Sequence, residues 1–111
     1  MLCQATVLYG VDATALEANE ELFKLPAHAP RNARPKLRRF HRVVFNFPHA
    51  GGGSTRADVE VNQELLRDFF ASAGRVIRRN GEVHVALRRS PFYQSWKIKD
   101  QGEAAGLAFL R

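Results

Sequence analysis

The sequence predicts an open parallel α/β sheet, and three observations carry that prediction. Residues 6–11 (TVLYGV), 42–47 (RVVFNF) and 82–87 (EVHVAL) are short, apolar, β-branched runs that read as buried strands. The segments that follow each of them carry the three-and-four spacing of amphipathic helices. Strand and helix therefore alternate along the chain, the pattern of a sheet whose parallel strands are joined by helical crossovers. At 111 residues and 45% apolar composition, the chain is one domain or a piece of one, not a disordered segment.

The elements follow in order. Asp12 ends the first strand, and from Ala13 a helical pattern sets Leu16, Leu22 and Phe23 among Glu17, Glu20 and Glu21. Residues 25–41 form a basic loop, because Pro26, Pro30 and Pro35 break any regular element. The second strand, 42–47, is apolar on both faces, as a central parallel strand is. Residues 58–80 are the longest helix, with Val61, Leu65, Leu66, Phe69, Phe70, Ala73, Val76 and Ile77 on one stripe. Arg75, Arg78 and Arg79 suit the negative end of its dipole, and Gly81 supplies a left-handed stop. The third strand follows at once; residues 95–106 form a further helix and 107–110 begin another strand.

Charge and cysteine usage bound the function. The single cysteine, Cys3, excludes an internal disulfide and any multi-cysteine zinc site. His28, His41, His49 and His84 show no metal-ligand spacing, so no metal is expected. Residues 1–20 carry no basic leader before an apolar core, and no apolar run nears the roughly 20 residues that span a bilayer. The expectation is a soluble, intracellular, non-secreted chain. A net charge of +6 favours an anionic partner. Arg31, Arg34, Lys36, Arg38, Arg39 and Arg42 fall within twelve residues that contain no acid. That run is either a solvated linker or a phosphate-contacting loop.

In an open parallel sheet the carboxyl ends of the strands share one edge, and ligands bind along it. Asp12, residues 46–53 and residues 88–90 are therefore expected on one rim. The segment FNFPHAGGG (45–53) poses the question of what that rim holds. A phosphate loop needs a lysine and a hydroxyl after its glycines, and here Ser54, Thr55 and Arg56 follow. A dinucleotide fingerprint needs spaced glycines after the first strand, where Gly10 stands alone. Asn46-Phe47-Pro48-His49 instead fits a pocket for a flat heterocycle, in which amide and backbone oxygens accept hydrogen bonds and a ring stacks. The same four residues also make an ordinary turn at a strand end.

Four stretches carry a more specific likeness: VVFNFPHAGG (43–52), NQELLRDFFASA (62–73), NGEVHVAL (80–87) and PFYQSWKIKD (91–100). In that order they resemble the ribosomal-RNA uridine methyltransferase-like domain. The family is typified by a fungal enzyme that methylates a ring nitrogen of a uridine in large-subunit rRNA, and includes relatives fused to a ferredoxin-fold anticodon-binding domain. LYGVDATAL (8–16) resembles its third-strand segment, so the likeness runs nearly the whole chain. The family's opening strand and Gly-Glu-Gly-Asn-Phe-Ser loop have no counterpart here. Phe40 is followed by His41 where the family usually has aspartate.

The resemblance implies a partial Rossmann-like sheet of the class I methyltransferase kind, the carboxyl-terminal part of the domain with its first two strands missing. The first strand would then pair abnormally or stay uncovered. It implies S-adenosylmethionine as cofactor and ribosomal RNA as partner, and a nucleolar or nuclear location, otherwise cytoplasmic. Asp12 and Ala13 fall at the cofactor edge, though Asp12 equally suits a helix N-cap. Asn46, Pro48 and His49 fall at the target base. His49, with a reference pKa of about 6.5, is a general base or a stacking ring. Arg34, Arg38, Arg39, Arg56, Arg88 and Arg89 are candidates for salt-dependent phosphate contact. His84, Tyr93 and Trp96 are expected in the core. The alternative is a non-catalytic RNA-binding remnant of such a domain, which keeps the base pocket without the donor site.

Overall fold

The computed structural model describes Ala5, residues 7–23 and residues 39–110. Two 3-10 turns, Leu16–Ala18 and Glu20–Phe23, precede strand β1 (Phe40–Asn46), helix α1 (Arg56–Val76), strand β2 (Ile77–Ala86), and helices α2 (Pro91–Gln94) and α3 (Ile98–Ala104). The basic loop, with Arg34 and Arg38, lies outside the described residues apart from its end at 39–41. β1 and β2 pair in parallel, Arg42 facing Glu82 and Asn46 facing Ala86. The predicted α/β class holds, as a partial Rossmann-like arrangement: a two-stranded parallel sheet with flanking helices.

Alternation along the strands sets the layers. Val43, Phe45, Val83 and Val85 turn toward α1 and pack on its buried Leu66, Phe69, Phe70 and Ala73. Phe45 meets Phe69 edge-on at 4.9 Å between ring centroids, a favoured aromatic geometry. Trp96, fully buried, closes the same cluster from the carboxyl-terminal side. Each such apolar side chain contributes about 1.5–3 kcal/mol by leaving water.

Several expected details are corrected. Residues 7–11 form no strand: Val7 is 68% and Tyr9 92% exposed, since among the described residues no strand lies beside them to complete a ladder. The helical pattern from Ala13 forms 3-10 turns, and Asn19 accepts the Glu21 and Leu22 N–H groups with its side chain instead of continuing an α-helix. β1 is buried on one face only, and Val44 lies open on the other. His84 is not a core histidine; it sits opposite Val44 on that open face, 3.4 Å from Glu82. α1 ends at Val76 and Ile77 already pairs with Phe40. Asn80, not Gly81, takes the left-handed conformation, at φ 66°. Gly81 is needed for space, because a Cβ there would lie 2.8 Å from the Arg78 carbonyl oxygen. The tail helix is shorter than expected, Ile98–Ala104, and a separate short helix, Pro91–Gln94, precedes it; Lys97 at φ 50° lies between the two, next to the buried Trp96. Residues 107–110 form no strand.

Candidate functional site

The Phe47 N–H donates to the Ala86 carbonyl at 2.9 Å, carrying the ladder one step past β1. Residues 46–53 and 88–90 therefore share one edge of the sheet. Phe47 then turns left-handed, at φ 54°, although it is bulky and precedes a proline. Such a conformation persists only where the surroundings enforce it. The turn leaves the Phe47 ring 63% exposed, while Pro48 is fully buried. Pro48 thus belongs to the packed side of the corner, and the face open to a ligand is formed by Asn46, Phe47 and His49.

His49 is held by three neighbours. Its Nδ1 accepts the Gly51 N–H at 2.7 Å. Its ring lies 6.2 Å from Phe92 at a 28° tilt and 5.3 Å from Trp96 edge-on. Ser90 caps the short helix that carries Phe92, accepting the Tyr93 N–H at 3.2 Å. The Trp96 indole Nε1 is buried with no hydrogen-bond partner among the described residues.

Beneath the loop stands Asn62, a buried polar residue on the core face of α1, where the apolar stripe was read to begin with Val61. Val61 is instead 50% exposed. Asn62 accepts the Ala50 N–H at 2.8 Å and donates to the Asp58 carbonyl at 2.9 Å and the Gly51 carbonyl at 3.5 Å. Its signal in the sequence was an amide one residue off the stripe. Asp58 completes a capping box with Thr55, accepting from its N–H at 3.3 Å and its hydroxyl at 2.7 Å. The Thr55 hydroxyl and the Gly53 N–H hold the Asp58 carboxyl below its usual range. Gly52 sits at φ 83° directly against that carboxylate, and a Cβ there would lie 2.9 Å from Asp58 Cγ. The glycine run is thus a tight strap tied to the start of α1.

The Asp12 carboxylate accepts from the Thr14 hydroxyl at 2.7 Å and the Thr14 N–H at 2.9 Å, and both bonds hold it below its ordinary range. The following turn docks far along α1. The Leu16 N–H donates to Ser72 Oγ at 2.7 Å, and Glu17 pairs with Arg75 at 2.8 Å. Ser72 lies ten residues beyond Asn62, about 15 Å along the helix axis. Ala13 packs against the hydrophobic core. The turn that follows Asp12 and Ala13 is thereby tied to one end of α1, and the strap of residues 50–53 to the other.

The arginines divide. Arg88 and Arg89 are exposed beside the corner, and Arg56 opens α1, paired with Glu60 at 3.3 Å. Arg39 lies at the far end of β1, roughly 20 Å away by strand length. There its guanidinium donates to the Arg75 and Ile77 carbonyls at 3.4 Å each. Among the described residues no group of three or more His, Cys, Asp or Glu could hold a metal ion. No described helix is long and apolar enough to cross a membrane.

Residues 2–111 match the family described as "rRNA (uridine-N3-)-methyltransferase BTM5-like". The chain is 34% identical over 110 residues to the Arabidopsis thaliana "Heavy metal-associated isoprenylated plant protein 41", covering 96% of this chain and 19% of that one. It is 42% identical over 83 residues to the Mus musculus "Ferredoxin-fold anticodon-binding domain-containing protein 1 homolog", covering 75% of this chain and 11% of that protein. With the Homo sapiens "Ferredoxin-fold anticodon-binding domain-containing protein 1" it shares 33% over 112 residues, 91% of this chain and 15% of that one. The chain thus spans a fifth or less of these relatives. No solved structure matches it.

Proposed function

Because this chain belongs to the rRNA (uridine-N3-)-methyltransferase BTM5-like family, we propose that its Asn46–His49 corner is the wall against which an rRNA uridine docks for base methylation. The family is one of rRNA uridine methyltransferases, and methyltransferases of this kind generally use S-adenosylmethionine as methyl donor. Methylating the imide nitrogen replaces its proton, so that proton must leave and negative charge gathers on the two flanking carbonyl oxygens. A site for this chemistry needs a flat, open aromatic surface with hydrogen-bond groups beside it, at a sheet edge where a partner group can approach.

One observation supports this reading above the others. The corner is open: Asn46, Phe47 and His49 are all exposed at the carboxyl edge, with Phe47 held outward in a left-handed conformation. Arg88 and Arg89, also exposed, stand where they would meet phosphates of the same strand. A base in a duplex would first leave its stack, at a cost of a few kcal/mol, less from a loop. The partner is ribosomal RNA and the location that follows is the nucleolus.

The test is photo-crosslinking of the chain to an oligouridylate carrying 4-thiouridine, followed by mapping of the linked peptide. Crosslinks within residues 46–53 are expected. Crosslinks confined to other segments overturn the reading.

The described residues do not assemble the donor side. The Asp12 carboxylate is already engaged by Thr14, and the turn after it docks at the end of α1 away from the strap. This favours a second reading, in which the chain alone binds RNA without transferring a methyl group.

A further inference from the structure

We infer that His49 presents a fixed Nε2–H to a carbonyl oxygen beside the target nitrogen, and that this donor selects uridine over cytidine. The inference rests on the corner being the base site, as proposed above. A backbone amide is always a donor, so the 2.7 Å contact between the Gly51 N–H and His49 Nδ1 requires a lone pair on Nδ1. A proton on Nδ1 would set two N–H groups against each other. The neutral imidazole therefore carries its proton on Nε2, since the bond made by one ring nitrogen decides the state of the other. Gly51 itself is at φ 91°, a conformation that glycine adopts freely and that aims its N–H back at the ring. Phe92 and Trp96 border the ring and oppose its rotation out of this bond.

The consequence is a change of role for His49. In this tautomer Nε2 has no lone pair to take the imide proton, so the residue is a hydrogen-bond donor and not the general base. In uracil the target nitrogen is flanked by two carbonyl oxygens, O2 and O4, and the donor selects uridine by facing O4, because O2 is a carbonyl in cytosine as well. In cytosine one flank is an amino group, which would face Nε2–H as donor against donor. A site with a fixed donor discriminates most strongly when the wrong partner leaves that donor unpaired. When the imide N–H breaks, its electrons stay on the ring as an imidate and the proton passes to water. The charge then grows on the carbonyl oxygens, where a donor already in place strengthens its hold.

Two measurements test this. In long-range proton–nitrogen spectra of the nitrogen-labelled chain, His49 Nδ1 is expected to be pyridine-like and Nε2 pyrrole-like; the reverse pattern overturns the inference. Next, fluorescence titrations at one salt concentration compare oligouridylate with oligocytidylate for the wild type, His49→Gln and His49→Ala. The wild type is expected to prefer uridine by about tenfold, the scale of one hydrogen bond with its desolvation. His49→Gln, whose amide keeps a donor but has no basic nitrogen, retains the preference. His49→Ala loses it, the affinities for oligouridylate and oligocytidylate becoming equal. An undiminished preference in His49→Ala, or no preference in the wild type, overturns the His49 assignment while crosslinking at residues 46–53 would still stand. Failure of that crosslinking removes the corner as a base site, and the His49 assignment with it.

Discussion

Asn62 ties the candidate site to the scaffold, and it does so with one side chain. Its amide satisfies the Ala50 N–H and the Asp58 carbonyl at once, from a position with no exposure to water. Replacing it by alanine removes both side-chain bonds, and a typical intramolecular hydrogen bond contributes about 0.5–1.5 kcal/mol net. Asn62→Ala is therefore expected to lower the unfolding free energy by about 1–3 kcal/mol, read as a lower urea midpoint at unchanged slope. The same change releases the strap of residues 50–53, seen as faster amide exchange at Ala50. An unchanged exchange rate at Ala50 would show that the glycines hold the strap unaided. The glycine run is legible in the sequence as a need for unusual backbone, but its purpose is not. Only the fold reveals that Gly52 clears the Asp58 carboxylate and that Gly51 aims its N–H at His49.

Among the elements, α1 was the most readable, because burial of one face leaves a periodic trace in the chain. Its end was misjudged by four residues because Ile77 extends the stripe yet pairs with Phe40 as strand. The connection from α1 into β2 is consequently crowded, with Gly81 pressed between Ile77 and the carbonyls of Arg78 and His41. A methyl group there would sit 2.8 Å from the Arg78 oxygen and 3.0 Å from that of His41. Gly81→Ala is expected to destabilise the chain by about 1–3 kcal/mol, the usual cost of overpacking. Thermal unfolding followed by circular dichroism measures it, and a midpoint equal to wild type would mean that the strand entry shifts freely. The carboxyl-terminal helix starts three residues later than its sequence pattern indicates, at Ile98, since nothing local marks the break before it. Lys97 takes a left-handed conformation where Trp96 goes into the core, and a tertiary demand of that kind has no short-range signature.

At the scale of the molecule, two strands and one long helix enclose a core, while several large apolar side chains stay uncovered. Val7, Tyr9 and Val44 are all more than half exposed. Residues 7–11, just before Asp12, form no strand ladder among the described residues to hold Asp12 at the ligand edge, and the turn after it docks on Ser72. Calorimetric titration of the chain with S-adenosylmethionine is accordingly expected to show no saturable binding in the micromolar range. Micromolar binding would mean that residues 12–18 form a donor site despite their docking on Ser72 and Arg75. It would also remove the case for an RNA-binding chain without transfer.

The sequence alone determined the α/β class, the parallel pairing, the long amphipathic helix and the polar strand end, because each leaves a local pattern: alternation, three-and-four spacing, or a proline and glycines in succession. It also carried the family likeness. The tertiary structure decided which side chains share the site. It buried Pro48, exposed Phe47, brought Phe92 and Trp96 to His49, and put Arg39 at the opposite end of the sheet from Arg88 and Arg89. Those outcomes depend on contacts between residues far apart in the sequence, whose geometry is set by packing around a common core and not by any residue's own neighbours in the chain.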